Sequence, residues 1–318
     1  MDKEAIKNFV EKIKSAKSIA IAGHKNPDGD SLCSVLALAR LIELNFSKKP
    51  VCVYDGNIPD CLDGVPYRKS IKYFEHIDKT VPFDLAIILD YGTENHIGGF
   101  RPVIENAKNV LEIDHHKNDI PIADVGLNNE HASAVGEIIY DIMRGLNWKY
   151  DLDVLELIAT SILTDTGNFK YARSGKCLRV MADLVDNGVC IEKISNLLNN
   201  KPRKTVIMEA GVAANAEFFY QGRLVVATID KKNYKNLDGR GETVLNILGQ
   251  IKGVEFIALL KHQKENQTGV SLRSRTKAIT HIAAAIGGGG HSHAAGAVVQ
   301  DNLENVKKKL IELFKGEK

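Results

Sequence analysis

The sequence predicts an α/β protein in which a mainly parallel sheet flanked by helices is followed by a smaller α+β domain. Three observations predict it. Four short apolar runs in the first half, each bounded by turn residues or charges, have the pattern of buried parallel strands. From residue 130 the apolar spacing becomes helical, and past a polar stretch around Pro202 the strand signals return.

Taken in order, the chain opens on MDKEAIKNFVEKIKSAK, whose apolar residues recur at helical spacing among charges, unlike the continuous apolar core of a secretory signal. The four strands are SIAIA (18–22), PVCVY (50–54), LAIIL (85–89) and NVLEI (109–113). Between the first two, SLCSVLALARLIELN forms a helix with Ser31 as the candidate cap. Helices follow at 133–146, 152–165, 174–188 and 191–200, with Gly145 and Gly188 as stops. NNKPRKT (199–205) sets the boundary, giving a domain at 1–198, a linker at 199–206 and a second domain at 207–318. That domain carries strands RLVVATI (223–229), EFIALLKHQ (255–263), TGVSLRSRT (268–276) and AAGAVV, with helices over 204–218, 241–251, 278–286 and 302–315.

Composition narrows the class. A chain of 318 residues suits two domains. Lys and Arg total 42 against 40 for Asp and Glu, so a net charge of +2 gives no global pull toward long duplex DNA. The five cysteines form no CxxC pair, which argues against a disulfide framework or a cysteine zinc site. No apolar stretch approaches the roughly 20 residues of a membrane span, so the expectation is a cytoplasmic protein without a membrane partner.

Chemistry gathers where strands end. His24, Asp28 and Asp30 follow the first run, Asp90 ends LAIILD, and Asp114, His115 and His116 end VLEIDHH. Singly, each has a plainer reading: an Asp-Gly turn, a helix cap, a solvated loop. Together they converge on the crevice outside the carboxyl ends of a parallel sheet, where ligands bind. Crowded carboxylates repel unless a cation sits between them. Oxygen and imidazole donors suit a divalent ion such as manganese better than thiolate-bound zinc, and the excess of carboxylates suits two ions and phosphoester hydrolysis.

GHKNPDGDS, ILDYGT, IDHH and SILTDTGNF, followed by GGGGHSHAAG, resemble the DHH phosphoesterase family with its DHHA1-type C-terminal domain, and within it the bacterial nanoRNase/pAp-phosphatase group. The resemblance implies that His24 and Asp28 hold one ion, that Asp30, His115 and Asp165 hold the other, and that Asp90 bridges both. His116 would face the scissile phosphate, and Asp114 would orient a histidine. It implies two divalent ions, Mn2+ or else Mg2+ or Co2+, an active site in the cleft between the domains, and a homodimer as one assembly open to the chain.

Substrate recognition is expected in the second domain. Gly288, Gly289 and Gly290, followed by His291, let backbone N–H groups approach a phosphate. Ser271, Arg273 and Arg275 alternate along VSLRSRT onto one strand face, and an arginine fork matches phosphate oxygens. The resemblance favours Arg273. Asn168 and Phe169 would line the channel, with Phe169 and Tyr171 as candidates for base stacking. Two binding ends would measure out a few nucleotides, so short RNA, dinucleotides and pAp are the expected partners. Cyclic di-AMP or linear dinucleotide hydrolysis stays open beside nanoRNA breakdown, and so does a nucleotide sensor without turnover.

Overall fold

The chain divides into two units, Met1–Asn200 and Lys201–Lys318. The computed structural model describes residues 2–78, 82–117, 122–235, 237 and 241–317, and for His291 the backbone alone.

In the first unit, β1 (Ile19–Ala22), β2 (Val51–Tyr54), β3 (Lys72–Tyr73), β4 (Leu85–Leu89), β5 (Val110–Ile113) and β6 (Val125–Gly126) form one sheet. Their order is β3-β2-β1-β4-β5-β6, and every neighbouring pair is parallel. β1 and β4 lie side by side where the winding reverses, which is the switch point of such a sheet. Both are buried along their whole length, the reason that they appear in sequence as unbroken apolar runs.

The helices of this unit are α1 (Lys3–Ser15), α2 (Gly29–Phe46), α3 (Arg101–Asn106), α4 (Val135–Gly145), α5 (Leu152–Asp165), α6 (Lys176–Asp186) and α7 (Ile191–Asn199). Ile19, Ile21, Leu85, Ile87 and Leu111 turn to one side of the sheet and pack with residues of α2, α4 and α5. Ala20, Ala22, Ala86 and Ile88 turn to the other, against Phe100 and Val103. Ser31 does not cap α2. Asp28 stands one residue before the helix, and its carboxylate accepts from the Ser31 N–H at 3.1 Å.

The second unit holds helices α8 (Arg203–Ala214), α9 (Lys231–Tyr234), α10 (Glu242–Gly249), α11 (Thr280–Ala285) and α12 (Leu303–Lys315). Its strands are β7 (Glu217–Phe219), β8 (Leu224–Ile229), β9 (Phe256–Lys264), β10 (Gln267–Ser274), β11 (Gly289–His291) and β12 (Ala294–Val299), ordered β11-β12-β10-β9-β8-β7. Only β8 and β9 pair in parallel. Leu224, Val226, Ala258, Leu260 and Leu272 pack with α11 and α12 on one face. Val225, Ile229, Ile257 and Leu259 pack with Val244 and Leu248 of α10 on the other.

Two boundaries differ from expectation. Helix α8 begins at Arg203, directly after Pro202 with its φ of −55°, so the linker expected over 199–206 is already helical in its last four residues. The helix expected over 204–218 stops at Ala214, because the chain turns into β7 to pair with β8. The glycine run is also not a free loop. A Cβ at Gly288 would meet the Gly296 carbonyl oxygen at 2.1 Å, and one at Gly290 the Ala294 oxygen at 2.7 Å, so glycine is needed there for close approach to β12. No helix among the described residues is long and apolar enough to cross a membrane.

Candidate metal centre

The carboxyl ends of β1, β4 and β5 deliver the histidines and aspartates to one place. Asp90 ends β4 in the left-handed region, at φ +53°, with its N–H donating to the Ile113 oxygen at 3.1 Å. A non-glycine residue adopts that conformation at a cost, one commonly met at functional sites. Its carboxylate faces two ways. Oδ2 lies 3.9 Å from His24 Nε2, and Oδ1 lies 3.4 Å from His115 Nε2.

Around Asp90 three donor groups have ligand atoms within 4.8 Å of one another: His24 with Asp28 and Asp90, Asp30 with His115 and Asp165, and Asp90 with His115 and His116. His24 Nε2 is 3.5 Å from Asp28 Oδ2, and His115 Nε2 is 3.5 Å from Asp165 Oδ2. The six residues expected as ligands are therefore gathered. Their histidines are also turned the right way: His24 Nδ1 lies 2.8 Å from the Lys25 oxygen and His115 Nδ1 lies 3.3 Å from the Ala132 oxygen. Donating Nδ1–H to a carbonyl leaves Nε2 as a lone pair directed at the carboxylates, the form in which imidazole binds a metal.

Charge crowding leaves its mark on the acids. Burial, then the charges of Asp30 and Asp28, push the Asp90 carboxyl well above the usual carboxylate range. Desolvation and the same two neighbours raise Asp165, at the end of α5, to about 7. Four carboxylates facing two imidazole lone pairs fit a divalent cation, which relieves this repulsion.

His116 borders these groups, its Nδ1 3.5 Å from Asp90 Oδ1, but it is held by Asp114. Its Nδ1 lies 2.8 Å from Asp114 Oδ1, and its side chain is partly exposed. Burial works against the imidazolium, but the Asp114 hydrogen bond together with the negative charges of Asp90 and Asp114 outweighs it, and the His116 pKa is raised. Burial likewise opposes the Asp114 carboxylate, and the His116 bond with the Gly92 and His116 amides holds it below its usual range. Asp114 is fully buried and also accepts from the Tyr91 N–H at 3.1 Å.

Several supporting residues carry no local signal in the sequence. Asp30 Oδ1 accepts from Ser34 Oγ at 2.8 Å and Ser161 Oγ at 2.5 Å, and Oδ2 accepts from the Val135 N–H at 2.8 Å. Asp30 thereby ties the start of α4 to the centre. Asn128 accepts from the Asp114 N–H at 3.0 Å and donates to Glu112 Oε1 at 2.6 Å, while Tyr91 Oη donates to Glu112 Oε2 at 2.8 Å. Arg173 Nη1 reaches the carbonyl oxygens of His115, Glu130 and Ala132. Apart from Ser34, one helical turn from Asp30, these partners are 14 or more residues apart in the chain, so the fold pairs them.

Residues 167–169 turn sharply after Asp165, with φ of +55°, +57° and +69°. Asn168 is exposed, Phe169 packs partly into the core, and Tyr171 is 46% exposed. In the second unit Ser271 and Arg273 share one face of β10, but the strand ends at Ser274 and its alternation does not extend to Arg275. Arg273 Nη2 is 2.7 Å from Glu242 Oε2. Gly288, Gly289 and Gly290 adjoin β12, and the side chain of His291 lies outside the described residues.

Comparison with known proteins finds matches for both units. Residues 18–164 match the DHH family N-terminal domain, and residues 221–316 match the DHHA1 domain. The probable bifunctional oligoribonuclease and PAP phosphatase NrnA of Streptococcus mutans is 28% identical over 95% of this chain and 96% of its own. The bifunctional oligoribonuclease and PAP phosphatase NrnA of Thermus thermophilus is 28% identical over 99% and 94%. The cyclic-di-AMP phosphodiesterase PdeA of Listeria monocytogenes is 21% identical, and the match spans 95% of this chain but 48% of that protein. An exopolyphosphatase-related protein from Bacteroides fragilis shares the fold, with a TM-score of 0.90, 22% identity and coverage of 99% and 97%. With both domain matches in order and the two histidines of the DHH motif within the acid–histidine cluster, the chain belongs to the DHH family, in its DHH/DHHA1 form.

Proposed function

We propose that the protein is a divalent-metal-dependent phosphoesterase that hydrolyses short oligoribonucleotides to 5'-mononucleotides and removes the 3'-phosphate of pAp. The observation that carries this is Asp90, whose two oxygens face two separate histidine–aspartate groups. The names of the relatives from Streptococcus mutans and Thermus thermophilus support the substrate class.

On this reading His24 and Asp28 would hold one Mn2+, Asp30, His115 and Asp165 would hold the other, and Asp90 would serve both. A pair of such ions acidifies a water molecule and neutralises charge on phosphoryl oxygens. The protein's own groups do the rest. Asp114 keeps a proton on His116 Nδ1, leaving Nε2 to donate to a phosphoryl or leaving oxygen. Ser271, Arg273, the glycines at 288–290 and His291 bind substrate in the second unit, and Asn168 contacts it in the first.

The test is mononucleotide release by the purified protein with manganese, on labelled RNAs of a few nucleotides, a long RNA, pAp, pApA and cyclic di-AMP. Fast release from the short RNAs and from pAp supports the proposal. Activity confined to cyclic di-AMP or pApA transfers the protein to dinucleotide breakdown, and no turnover on any of them overturns the enzyme reading in favour of a sensor.

A further inference from the structure

One face of the second sheet is covered over only part of its width. Helix α8 packs on β8, and α9 and α10 pack on β9. Farther along the same face, Gly269 and Ser271 of β10, Ala294 and Gly296 of β12 and Gly289 of β11 are small, and Val298 of β12 is exposed. Ser271 of β10 pairs with Gly296 of β12, which pairs with Gly289 of β11, so no side chain rises beside Ser271 across two neighbouring strands. Val298, opposite Gly269 on this face, is 52% exposed.

Lys261 lies on the same face, two residues beyond Leu259, which pairs with Ser271. It is a buried lysine, and its Nζ donates to Ser271 Oγ at 2.9 Å. An ammonium has three protons and no lone pair, so the hydroxyl must accept from it and direct its own proton elsewhere. Among the described residues that proton has no acceptor. Arg273, two residues along, adds a guanidinium anchored by Glu242.

We propose that Lys261 is a positioning residue for anion binding: it fixes Ser271 as a donor toward the open Gly296–Gly289 face, where Ser271 and Arg273 take a nucleotide phosphate. The choice of a nucleotide rests on the function proposed above, whereas the anion site itself rests on this face alone. Gly289 offers an independent probe. A Cβ there meets nothing within 4 Å and its φ is not in the left-handed region, so the strand tolerates a side chain that the ligand would not.

The experiment is calorimetric titration of the full chain, in EDTA, with pApA and with ApA, which lacks the 5'-phosphate. The wild type is expected to prefer pApA by about tenfold, the scale of a charge-assisted hydrogen bond. Lys261→Met should abolish that preference, Lys261→Arg should restore most of it, and Ser271→Ala added to Lys261→Met should cost nothing further. Gly289→Leu, with an unchanged melting temperature, should weaken pApA binding as well. A preference that survives Lys261→Met, a wild type that does not distinguish the two ligands, or a Gly289→Leu protein that binds normally would each overturn the inference. If the wild type shows the preference but hydrolyses no oligonucleotide, the anion site stands and the hydrolytic function falls.

Discussion

Asp114 Oδ1 receives both the backbone N–H of His116, at 2.9 Å, and its Nδ1, at 2.8 Å. One carboxylate oxygen thus fixes the ring and the peptide of the same residue. Because Oδ2 is taken by the Tyr91 and Gly92 amides, the carboxylate cannot rotate away without breaking all four bonds.

Replacing Asp114 with Asn should therefore impair chemistry more than metal binding. The expected loss is up to about 100-fold in kcat, with metal affinity changed by less than about tenfold, since Asp114 acts through His116. Steady-state kinetics at saturating manganese, together with calorimetric metal titration, separate the two. Equal losses in both would show that Asp114 supports the whole centre.

Asp90→Asn should abolish activity and reduce the metal stoichiometry measured by titration. In EDTA the same variant should melt at a higher temperature than the wild type, because the raised Asp90 pKa reports a carboxylate disfavoured by burial first and by the charges of Asp30 and Asp28 second in the metal-free fold. A lower melting point would contradict that account.

The metal-free protein should lose stability as pH rises. An unfolded aspartate titrates near about 4, whereas folded Asp165 holds its proton to about 7. Between those values the folded state binds more protons than the unfolded state, so its advantage is complete below the window and falls through it. Urea melts in EDTA across this range should show the decline, and saturating manganese should flatten it.

Asp84 should act with the opposite sign. Its hydrogen bond with Lys108, followed by those from the Lys17 and Ser18 amides, lowers its pKa to about 2. Its contribution is present above about 4 and disappears as pH falls toward 2. Asp84→Asn should remove that part of the acid slope, and an unchanged acid melting profile would refute the assignment.

Asn128→Ala should cost about 1–3 kcal/mol in urea unfolding, because it leaves Glu112 Oε1 buried without its donor. It should also lower kcat by freeing the Asp114 peptide. Normal stability together with normal kcat would remove Asn128 from the network.

Much of the first unit was legible in sequence because its central strands are buried on both faces. LAIIL and its neighbours needed apolar residues at every position, and the polar residues directly after them had to lie at the strand ends. Asp165 was less legible, since a helix ending in TDTG has an ordinary turn as its plainer reading, and the family motif was needed to single it out. Asn128, Ser161 and Arg173 left no trace, because they act through partners far away in the chain. The edge strand β11 was hidden by glycine, which reads as a loop although here it permits close strand approach.

Asp30 gives the molecule a historical constraint. The same carboxylate that faces His115 also receives the first N–H groups of α4 and two serine hydroxyls. A lineage drifting from hydrolysis toward mere binding could lose partly exposed Asp165 and stay folded. Asp30 would be the last ligand to go, held in place by architecture long after selection on turnover had lapsed.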